Sequence, residues 1–218
     1  MQHHQLYLPV ALNITNKKCI VIGGGKIALR KVKSLLEFGA NVVVISPRVC
    51  DGLNKLITLN KIKVLRREFH RGDLKGSFLV IAATSKYKTN LRIAEEARRE
   101  HVYVNVVDNP VICDFIMTSY FRRKKLIVAI STSGLSPALA KKLRMYLQKI
   151  IGKEYGDLVE LIEDMRILLK NKNIKAGSRK WQQALNLEIL ISHLKNKRSI
   201  EARNLVLDKL GISGDQLE

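Results

Sequence analysis

Three small residues near the start of the chain have the types and spacing of a pyrophosphate-binding turn. Gly23, Gly25 and Ala28 follow an apolar run over residues 19–22 in the pattern G-x-G-x-x-A. Gly23 would allow a tight turn, Gly25 would let the backbone approach a pyrophosphate, and Ala28 would let a helix pack closely on the strand. The free N–H groups at the start of that helix would then face the anion. The spacing therefore predicts a dinucleotide-binding site.

Two further predicted strand ends would border the same site, because ligands of an open parallel sheet bind outside the carboxyl ends of its strands. Pro47 and Arg48 follow the second strand, where an acidic residue usually bonds the ribose hydroxyls, and this chain has none there. Arg48 would favour a 2′-phosphate, or backbone groups would hold the ribose, so these residues leave NAD and NADP open. Ala83 and Thr84 follow the next buried strand, and their small side chains would let the cofactor lie across the sheet edge.

Asp108 is the carboxylate best placed for proton chemistry. It follows a predicted strand over residues 102–107 and would lie at the same edge of the sheet. Such a group can accept the proton released when a hydride leaves a substrate. Aspartate also commonly caps a turn, and Pro110 follows two residues later. The residues themselves favour both interpretations equally.

A polar loop over residues 132–137 offers hydroxyls and a second predicted helix start. Ser136 has the type and position of an N-cap, and Pro137 suits the first helical position. The free N–H groups of such a helix start could bind an anion. A plain helix cap explains the same residues equally well.

The elements that would position these residues alternate regularly in the first half of the chain. Strands are predicted over residues 19–22, 41–45, 61–66, 78–83 and 102–107, with helices over 26–38, 51–59 and 87–100. This alternation predicts an α/β, Rossmann-like parallel sheet with helices on both faces, wound right-handedly.

The pattern changes in the second half of the chain. Two strand-like runs, 115–121 and 126–131, are joined by a short basic link and predict an antiparallel hairpin. Helical periodicity then covers residues 137–151, 154–170, 179–195 and 199–210. We therefore expect a nucleotide-binding domain over residues 1–114, a central hairpin and helix over 115–152, and a helical C-terminal domain over 153–218.

The net charge of +20 is the strongest compositional signal. It indicates a polyanionic partner, which would be nucleic acid, an anionic surface or a small molecule with many carboxylates or phosphates. A lysine-rich exposed surface without such a partner would give the same charge. The excess lies mainly in residues 1–140 and is therefore not a basic tail.

Several function classes lack their sequence signals. No apolar run reaches the roughly 18–20 residues that span a bilayer, and the first residues do not have the pattern of a secretory signal. The chain has three cysteines, Cys19, Cys50 and Cys113, and their odd number and wide spacing predict no disulfide framework. The histidines lack metal-ligand spacing. We therefore expect a cytoplasmic protein without membrane association or a bound metal.

Several ordered motifs resemble those of precorrin-2 dehydrogenases, a family that includes the N-terminal module of siroheme synthases and stand-alone relatives. They are VIGGGKIALRK from Val21, IAAT from Ile81, VNVVD from Val104, DFIM from Asp114 and STSGLSPALA from Ser131. The resemblance covers about residues 6–150. It implies NAD-dependent oxidation of precorrin-2 to sirohydrochlorin in siroheme biosynthesis, with Asp108 as the catalytic residue.

The resemblance also implies roles for other residues and for a second copy of the chain. Lys26, Ile27, Pro47 and Arg48 match nucleotide contacts of the family, which binds NAD without the acid after the second strand. The hairpin and the helix after it match a dimerisation region, so a homodimer is implied. We expect the anionic tetrapyrrole to be bound by side chains from the end of the fifth strand, the polar loop and the following helix, namely Asn105, Thr132, Ser133, Ser136 and Lys141.

Three residues depart from the family pattern. Thr118 stands where a proline is usual, Ser133 replaces one of two loop glycines, and Thr132 stands where some relatives have a serine that can be phosphorylated. Two alternatives remain beside the main hypothesis. One is a bifunctional enzyme that also inserts iron into sirohydrochlorin at the same site, and the other is a non-enzymatic NAD(H)-sensing protein that binds nucleic acid.

Overall fold

The first half of the chain folds as a parallel sheet with helices on both faces. In a computed structural model that describes residues 6–212, the chain divides after Met117 into two compact units. The strands of the first unit are β1 (Lys18–Ile22), β2 (Asn41–Ile45), β3 (Lys63–Leu65), β4 (Leu79–Ala82) and β5 (Tyr103–Val106). Its helices are α1 (Lys26–Glu37), α2 (Asp51–Thr58) and α3 (Tyr87–Arg99). The predicted α/β class is confirmed.

The five strands lie in the order β3-β2-β1-β4-β5, and every neighbouring pair is parallel. Ile20 of β1 is opposite Val43 of β2 on one side and Val80 of β4 on the other. Because the chain reverses its direction of winding between β1 and β4, the crevice between their carboxyl ends is the expected ligand position. The loops after β1, β2, β4 and β5 all leave the sheet at this edge.

Hydrophobic periodicity explains how the helices cover the sheet. Ala28, Val32 and Leu35 lie on one side of α1 and are buried in the core on one face of the sheet. Ile93 and Ala97 of α3 are buried in the core on the other face. A strand covered on both faces is expected to be apolar throughout, as β4 is with its sequence LVIA.

The second unit begins with the predicted hairpin. Strands β6 (Ser119–Arg123) and β7 (Leu126–Ile130) pair antiparallel. The prediction that the first strand starts at residue 115 is wrong, because Phe115 and Met117 pack on the core of the first unit. Those residues therefore belong to the preceding unit rather than to the hairpin.

Five helices follow the hairpin within the described residues. They are α4 (Pro137–Ile150), α5 (Glu154–Asn171), α6 (Ser178–Ala184), α7 (Leu187–Lys195) and α8 (Ser199–Leu210). The single helix predicted over residues 179–195 is wrong, since α6 and α7 are separate. Asn186 explains the break because its side chain accepts a hydrogen bond from the Ile189 N–H at 3.3 Å and so caps α7. A further domain boundary near residue 152 stays a prediction.

Candidate functional site

Gly23 forms the turn that leaves β1. Its φ of +127° is accessible to glycine and rarely to other residues, and a Cβ there would lie 2.3 Å from the Ala83 carbonyl oxygen. The Gly23 N–H also donates to the Ile45 carbonyl at 3.0 Å. The predicted tight turn is therefore present, and it contacts the ends of both β2 and β4.

Gly24 is equally constrained, although the sequence analysis assigned it no role. A Cβ at this position would lie 1.9 Å from the Arg48 carbonyl oxygen. The Gly24 carbonyl accepts a hydrogen bond from the Cys50 N–H at 2.8 Å, and the Ser46 hydroxyl donates to the Arg48 carbonyl at 2.7 Å. The loops after β1 and β2 are thus tied together. The only sequence signal for a constraint at Gly24 was that a glycine fills the variable position between Gly23 and Gly25.

Gly25 differs from its two neighbours because nothing in the described chain requires a glycine there. It is the exposed N-cap of α1 with a φ of −86°, and a Cβ would have no protein atom within 4 Å. No side chain caps α1, and its first turn has no acidic residue. The open space and the unpaired N–H groups of a helix start fit a pyrophosphate. The residues present therefore fit a dinucleotide.

The other predicted cofactor residues of α1 have distinct environments. Ala28 is fully buried, as close packing of the helix on β1 requires. Lys26 and Ile27 occupy the first turn of α1, and both side chains are exposed. Their contact with a nucleotide stays a prediction.

The loop after β2 places Pro47 and Arg48 at the surface. The carbonyl of Arg48 is engaged by the Ser46 hydroxyl, whereas its guanidinium has no hydrogen-bond partner within residues 6–212. No carboxylate is present between Ile45 and Asp51, the first residue of α2. The geometry thus leaves a free cation where NAD sites commonly have an acid.

The loop after β4 is held by hydrogen bonds to its neighbours. The Ala83 N–H donates to the Ile22 carbonyl at 2.8 Å. The Thr84 hydroxyl donates to Asn90 Oδ1 at 2.7 Å, and Asn90 Nδ2 donates back to the Thr84 carbonyl at 3.1 Å. Thr84 therefore anchors the loop to α3, while Ala83 remains half-buried beside the glycine turn.

Asp108 lies in the turn that follows β5 and has an unusual backbone conformation. Its φ is +61°, and the turn is closed by a 3.3 Å hydrogen bond from the Asn109 N–H to the Val106 carbonyl. The side chain is exposed, and within residues 6–212 its carboxylate has no hydrogen bond or ion pair. The carboxylate therefore does not cap the turn and is available for other contacts.

Lys31 of α1 is a cation close enough to interact with this turn, and the sequence analysis missed it. Burial lowers the pKa of its ammonium group, as does the charge of Arg30, while Cys113 and Asp108 act in the opposite direction. Lys31 is half-buried, so its charge is only partly screened by water. Lys31 is the last residue of the motif VIGGGKIALRK, but the motif predicted no role for it, because its relation to Asp108 depends on tertiary packing.

Asn105 lies beneath the Asp108 turn rather than at its surface. It is buried, and its Nδ2 donates to the Phe115 carbonyl at 3.0 Å. Its Oδ1 is buried and has no hydrogen-bond partner within the described residues. The predicted contact with substrate remains untested. The same Nδ2 also donates to Cys113 Sγ at 3.7 Å, so Asn105 joins β5 to the segment over residues 113–115.

The remaining predicted residues belong to the second unit. Ser136 caps α4 as expected, since its Oγ accepts from the Leu139 N–H at 3.3 Å. The Thr132 hydroxyl accepts from the Ser136 N–H at 3.0 Å, and Ser133 has a φ of +51°. Lys141 is exposed on α4. Anion binding by this loop stays a prediction.

Two basic residues of the hairpin link are engaged by acidic residues of α5. Lys124 lies 2.8 Å from Asp157 and also pairs with Glu160, while Lys125 pairs with Glu163. These hydrogen bonds raise the pKa of both ammonium groups. The two lysines of the hairpin link are therefore less available to bind an anion than unpaired lysines would be.

The chain is similar to several known proteins. A family model described as putative NAD(P)-binding matches residues 10–119. Siroheme synthases of Nitrosospira multiformis and Nitrosomonas europaea are 38% and 39% identical to the chain, over 82% of its length in both cases. Those matches cover 39% and 38% of the two relatives, so the chain spans about two fifths of their length.

A solved structure named SirC, precorrin-2 dehydrogenase, has the same fold. It aligns with a TM-score of 0.67 and 23% identity over 94% of this chain and 99% of its own. Among the helices described within residues 6–212, none combines the length and the hydrophobicity that a membrane span needs. The Rossmann-like sheet, the constrained glycine turn and the match over residues 10–119 together show that the chain belongs to the putative NAD(P)-binding family.

Proposed function

We propose that the protein is an NAD-dependent precorrin-2 dehydrogenase that forms sirohydrochlorin. The observation that carries the proposal is the exposed, unbonded carboxylate of Asp108 at the sheet edge that also holds the glycine turn. A dinucleotide site and a free carboxylate at one edge suit a reaction that removes a hydride and a proton from one substrate. The siroheme synthase relatives and the SirC fold support this choice of substrate.

Each part of the site has a separate task in this reaction. Bound NAD supplies the hydride acceptor. The open turn at Gly25 and the first turn of α1 hold its pyrophosphate, and Ala83 borders it on the sheet. Asp108 accepts the proton that leaves the substrate as the hydride is transferred. Lys31 places a positive charge near the turn that carries Asp108.

The charge of the chain supports a polyanionic substrate. A tetrapyrrole with many carboxylates would be attracted by a net charge of +20. Within the second unit, Lys141 and Lys142 of α4 are exposed, and neither is paired with an acidic side chain of the described residues. They are better candidates for substrate carboxylates than Lys124 and Lys125, which are already paired.

We further propose that the protein is a homodimer that uses α4. Leu139, Leu143, Tyr146 and Ile150 repeat at helical spacing along α4, and all four are exposed. Such an apolar stripe is typical of a helix that packs against a partner. Leu143→Glu should therefore yield a monomer in analytical ultracentrifugation, and an unchanged dimer would contradict the proposal.

A reducing cytoplasm is the proposed location of the protein. All three cysteines are free, and two of them are buried. Free thiols are usual in reducing compartments and less so in secreted proteins.

The activity is tested by following the absorption spectrum after NAD and precorrin-2 are added to the purified protein. Wild type should form sirohydrochlorin only with NAD, and Asp108→Asn should lower kcat by about 10²–10⁴, the range expected for loss of a proton acceptor. Glu95→Gln is a matched control because Glu95 is an exposed carboxylate on α3 without a described partner. No product with wild type, or an unchanged kcat in Asp108→Asn, would refute the proposal.

Two added reactions separate the alternatives. Sirohydrochlorin with Fe²⁺ should give siroheme no faster than the uncatalysed reaction if the protein is a dehydrogenase alone. DNA binding that responds to the ratio of NADH to NAD would instead favour the nucleic-acid hypothesis.

A further inference from the structure

The thiol of Cys113 lies directly beneath the turn that carries Asp108. It accepts a hydrogen bond from the Val106 N–H at 3.0 Å. Its S–H proton has two acceptors within reach, the Asn109 carbonyl at 3.2 Å and the Val106 carbonyl at 3.3 Å. Because Val106 and Asn109 lie on either side of Asp108 in the sequence, one side chain joins both ends of its turn.

The position of β5 explains why a side chain is needed here. β5 is at the edge of the sheet, so alternate N–H groups along it have no neighbouring strand. The Val104 N–H donates to the Asp114 carboxylate at 2.9 Å, and the Val106 N–H donates to Cys113. The segment after the turn therefore returns along β5 and closes its edge with these side chains and with a backbone hydrogen bond from the Asp114 N–H to the Val104 carbonyl at 2.9 Å. Asn105 adds a third tie through the Phe115 carbonyl.

The Asp108 turn depends on this support because its own hydrogen bond is long. The Asn109 N–H lies 3.3 Å from the Val106 carbonyl. A left-handed conformation is uncommon for residues other than glycine, and although aspartate adopts it more readily than most, surrounding contacts are needed to fix it in one geometry. Burial raises the pKa of the Cys113 thiol, so the proton that it donates is retained at neutral pH.

We propose that Cys113 is a positioning residue that holds Asp108 in its left-handed turn and so fixes the direction of the Asp108 carboxylate. This inference rests on the proposed function, in which that carboxylate accepts the substrate proton. Cys113 itself contacts neither substrate nor cofactor in this role. If Cys113 served only core packing, kcat would depend on the apolar volume of its side chain and not on its hydrogen bonds.

Two substitutions separate hydrogen bonding from packing. Cys113→Ala removes the hydrogen bonds, whereas Cys113→Ser keeps a donor and an acceptor but is less apolar. We expect Cys113→Ala to lower kcat by about tenfold to a hundredfold, the effect of misplacing a catalytic group by about 1 Å, with an unchanged affinity for NAD. Cys113→Ser should restore most of kcat. Cys19→Ala is the control, because Cys19 is a buried thiol of β1 without a described side-chain hydrogen bond.

A double substitution tests whether Cys113 acts through Asp108. In the Asp108→Asn background, Cys113→Ala should lower kcat no further, because the group that it positions has lost its function. Multiplied losses in the double variant, or equal kcat for Cys113→Ala and wild type, would overturn the proposal. In contrast, a wild type that forms no NAD-dependent product would contradict the proposed function. The positioning role would then be tested by amide hydrogen exchange, which needs no substrate.

Amide hydrogen exchange tests the positioning role without substrate. The Val106 and Asn109 amides should exchange faster in Cys113→Ala than in wild type or in Cys113→Ser. Cys19→Ala should leave both amides unchanged. Exchange at Val106 that is equally slow in Cys113→Ala and wild type would mean that the thiol does not hold the turn.

Discussion

Adding a single methyl group at Gly24 or at Gly25 should have opposite consequences. In Gly24→Ala the new Cβ would lie 1.9 Å from the Arg48 carbonyl oxygen, so the backbone of one loop must move. Overpacking of this kind costs about 1–3 kcal/mol, and movement of the loop also weakens the 2.8 Å hydrogen bond from Cys50 to Gly24. We therefore expect the free energy of unfolding to fall by about 2–3 kcal/mol.

Gly25→Ala should preserve the fold and impair binding of the cofactor. A Cβ at Gly25 would have no protein atom within 4 Å, and its φ of −86° is accessible to alanine. The gain from a less flexible unfolded chain, about 0.4–1 kcal/mol, roughly offsets the poorer N-cap. The methyl group would occupy the space assigned to the pyrophosphate. We expect NAD affinity to fall at least about tenfold, which corresponds to about 1.4 kcal/mol.

Urea unfolding and calorimetric titration with NAD measure the two effects separately. If Gly25→Ala binds NAD like wild type, the pyrophosphate does not lie against this turn. If Gly24→Ala is as stable as wild type, the loops after β1 and β2 are not locked as described. Gly177→Ala is a suitable control, because a Cβ at Gly177 also has no neighbour within 4 Å and lies in the second unit.

Three further predictions concern stability and are measured by unfolding in urea. Ser133→Gly should stabilise the protein slightly, because the relief of about 1–2 kcal/mol of left-handed strain at φ +51° exceeds the backbone entropy cost of about 0.5–1 kcal/mol. Ser133→Ala should give no gain, because alanine keeps the strain. Glu96→Ala should destabilise by about 2–3 kcal/mol, because the buried carboxylate accepts the N–H groups of Gly72 and Leu74 at 2.9 and 3.2 Å; a loss below about 0.5 kcal/mol would contradict this role. A hydrogen bond from Arg67 holds the pKa of Asp73 below its ordinary value. The stability gained from this pair is therefore present above about pH 4 and is lost as the pH falls further. Asp73→Asn should flatten this part of the plot of unfolding free energy against pH, and an unchanged plot would refute a stabilising role for the pair.

Local patterns in the sequence were sufficient to predict most of the elements. Apolar β-branched runs predicted the strands, and the spacing of Ala28, Val32 and Leu35 predicted the buried face of α1. Ser136 and Pro137 predicted the start of α4 correctly, because capping depends on residues only three apart. The helix over residues 179–195 was mispredicted because Asn186, which caps α7, lies within a continuous helical pattern.

Contacts between distant residues were decided only by the tertiary structure. Gly24 has to be glycine because a carbonyl 24 residues later, that of Arg48, lies against it. The pairing of Lys124 with Asp157 joins the hairpin link to α5. Sequence periodicity predicted a helix at α5 but not its position relative to the hairpin. In both cases the constraint comes from a partner that no local spacing identifies.

The glycine spacing and the position of Asp108 after a buried strand were determined by the sequence, since both are local features of a strand and its following turn. Only the folded chain showed that the Asp108 carboxylate is unbonded and that Cys113 joins the two ends of its turn. The physical reason is that β5 lies at the edge of the sheet, where the Val104 and Val106 N–H groups have no neighbouring strand and bond to the side chains of Asp114 and Cys113. The sequence shows which residues follow β5. The order of the strands in the sheet determines which of those residues bond its free N–H groups.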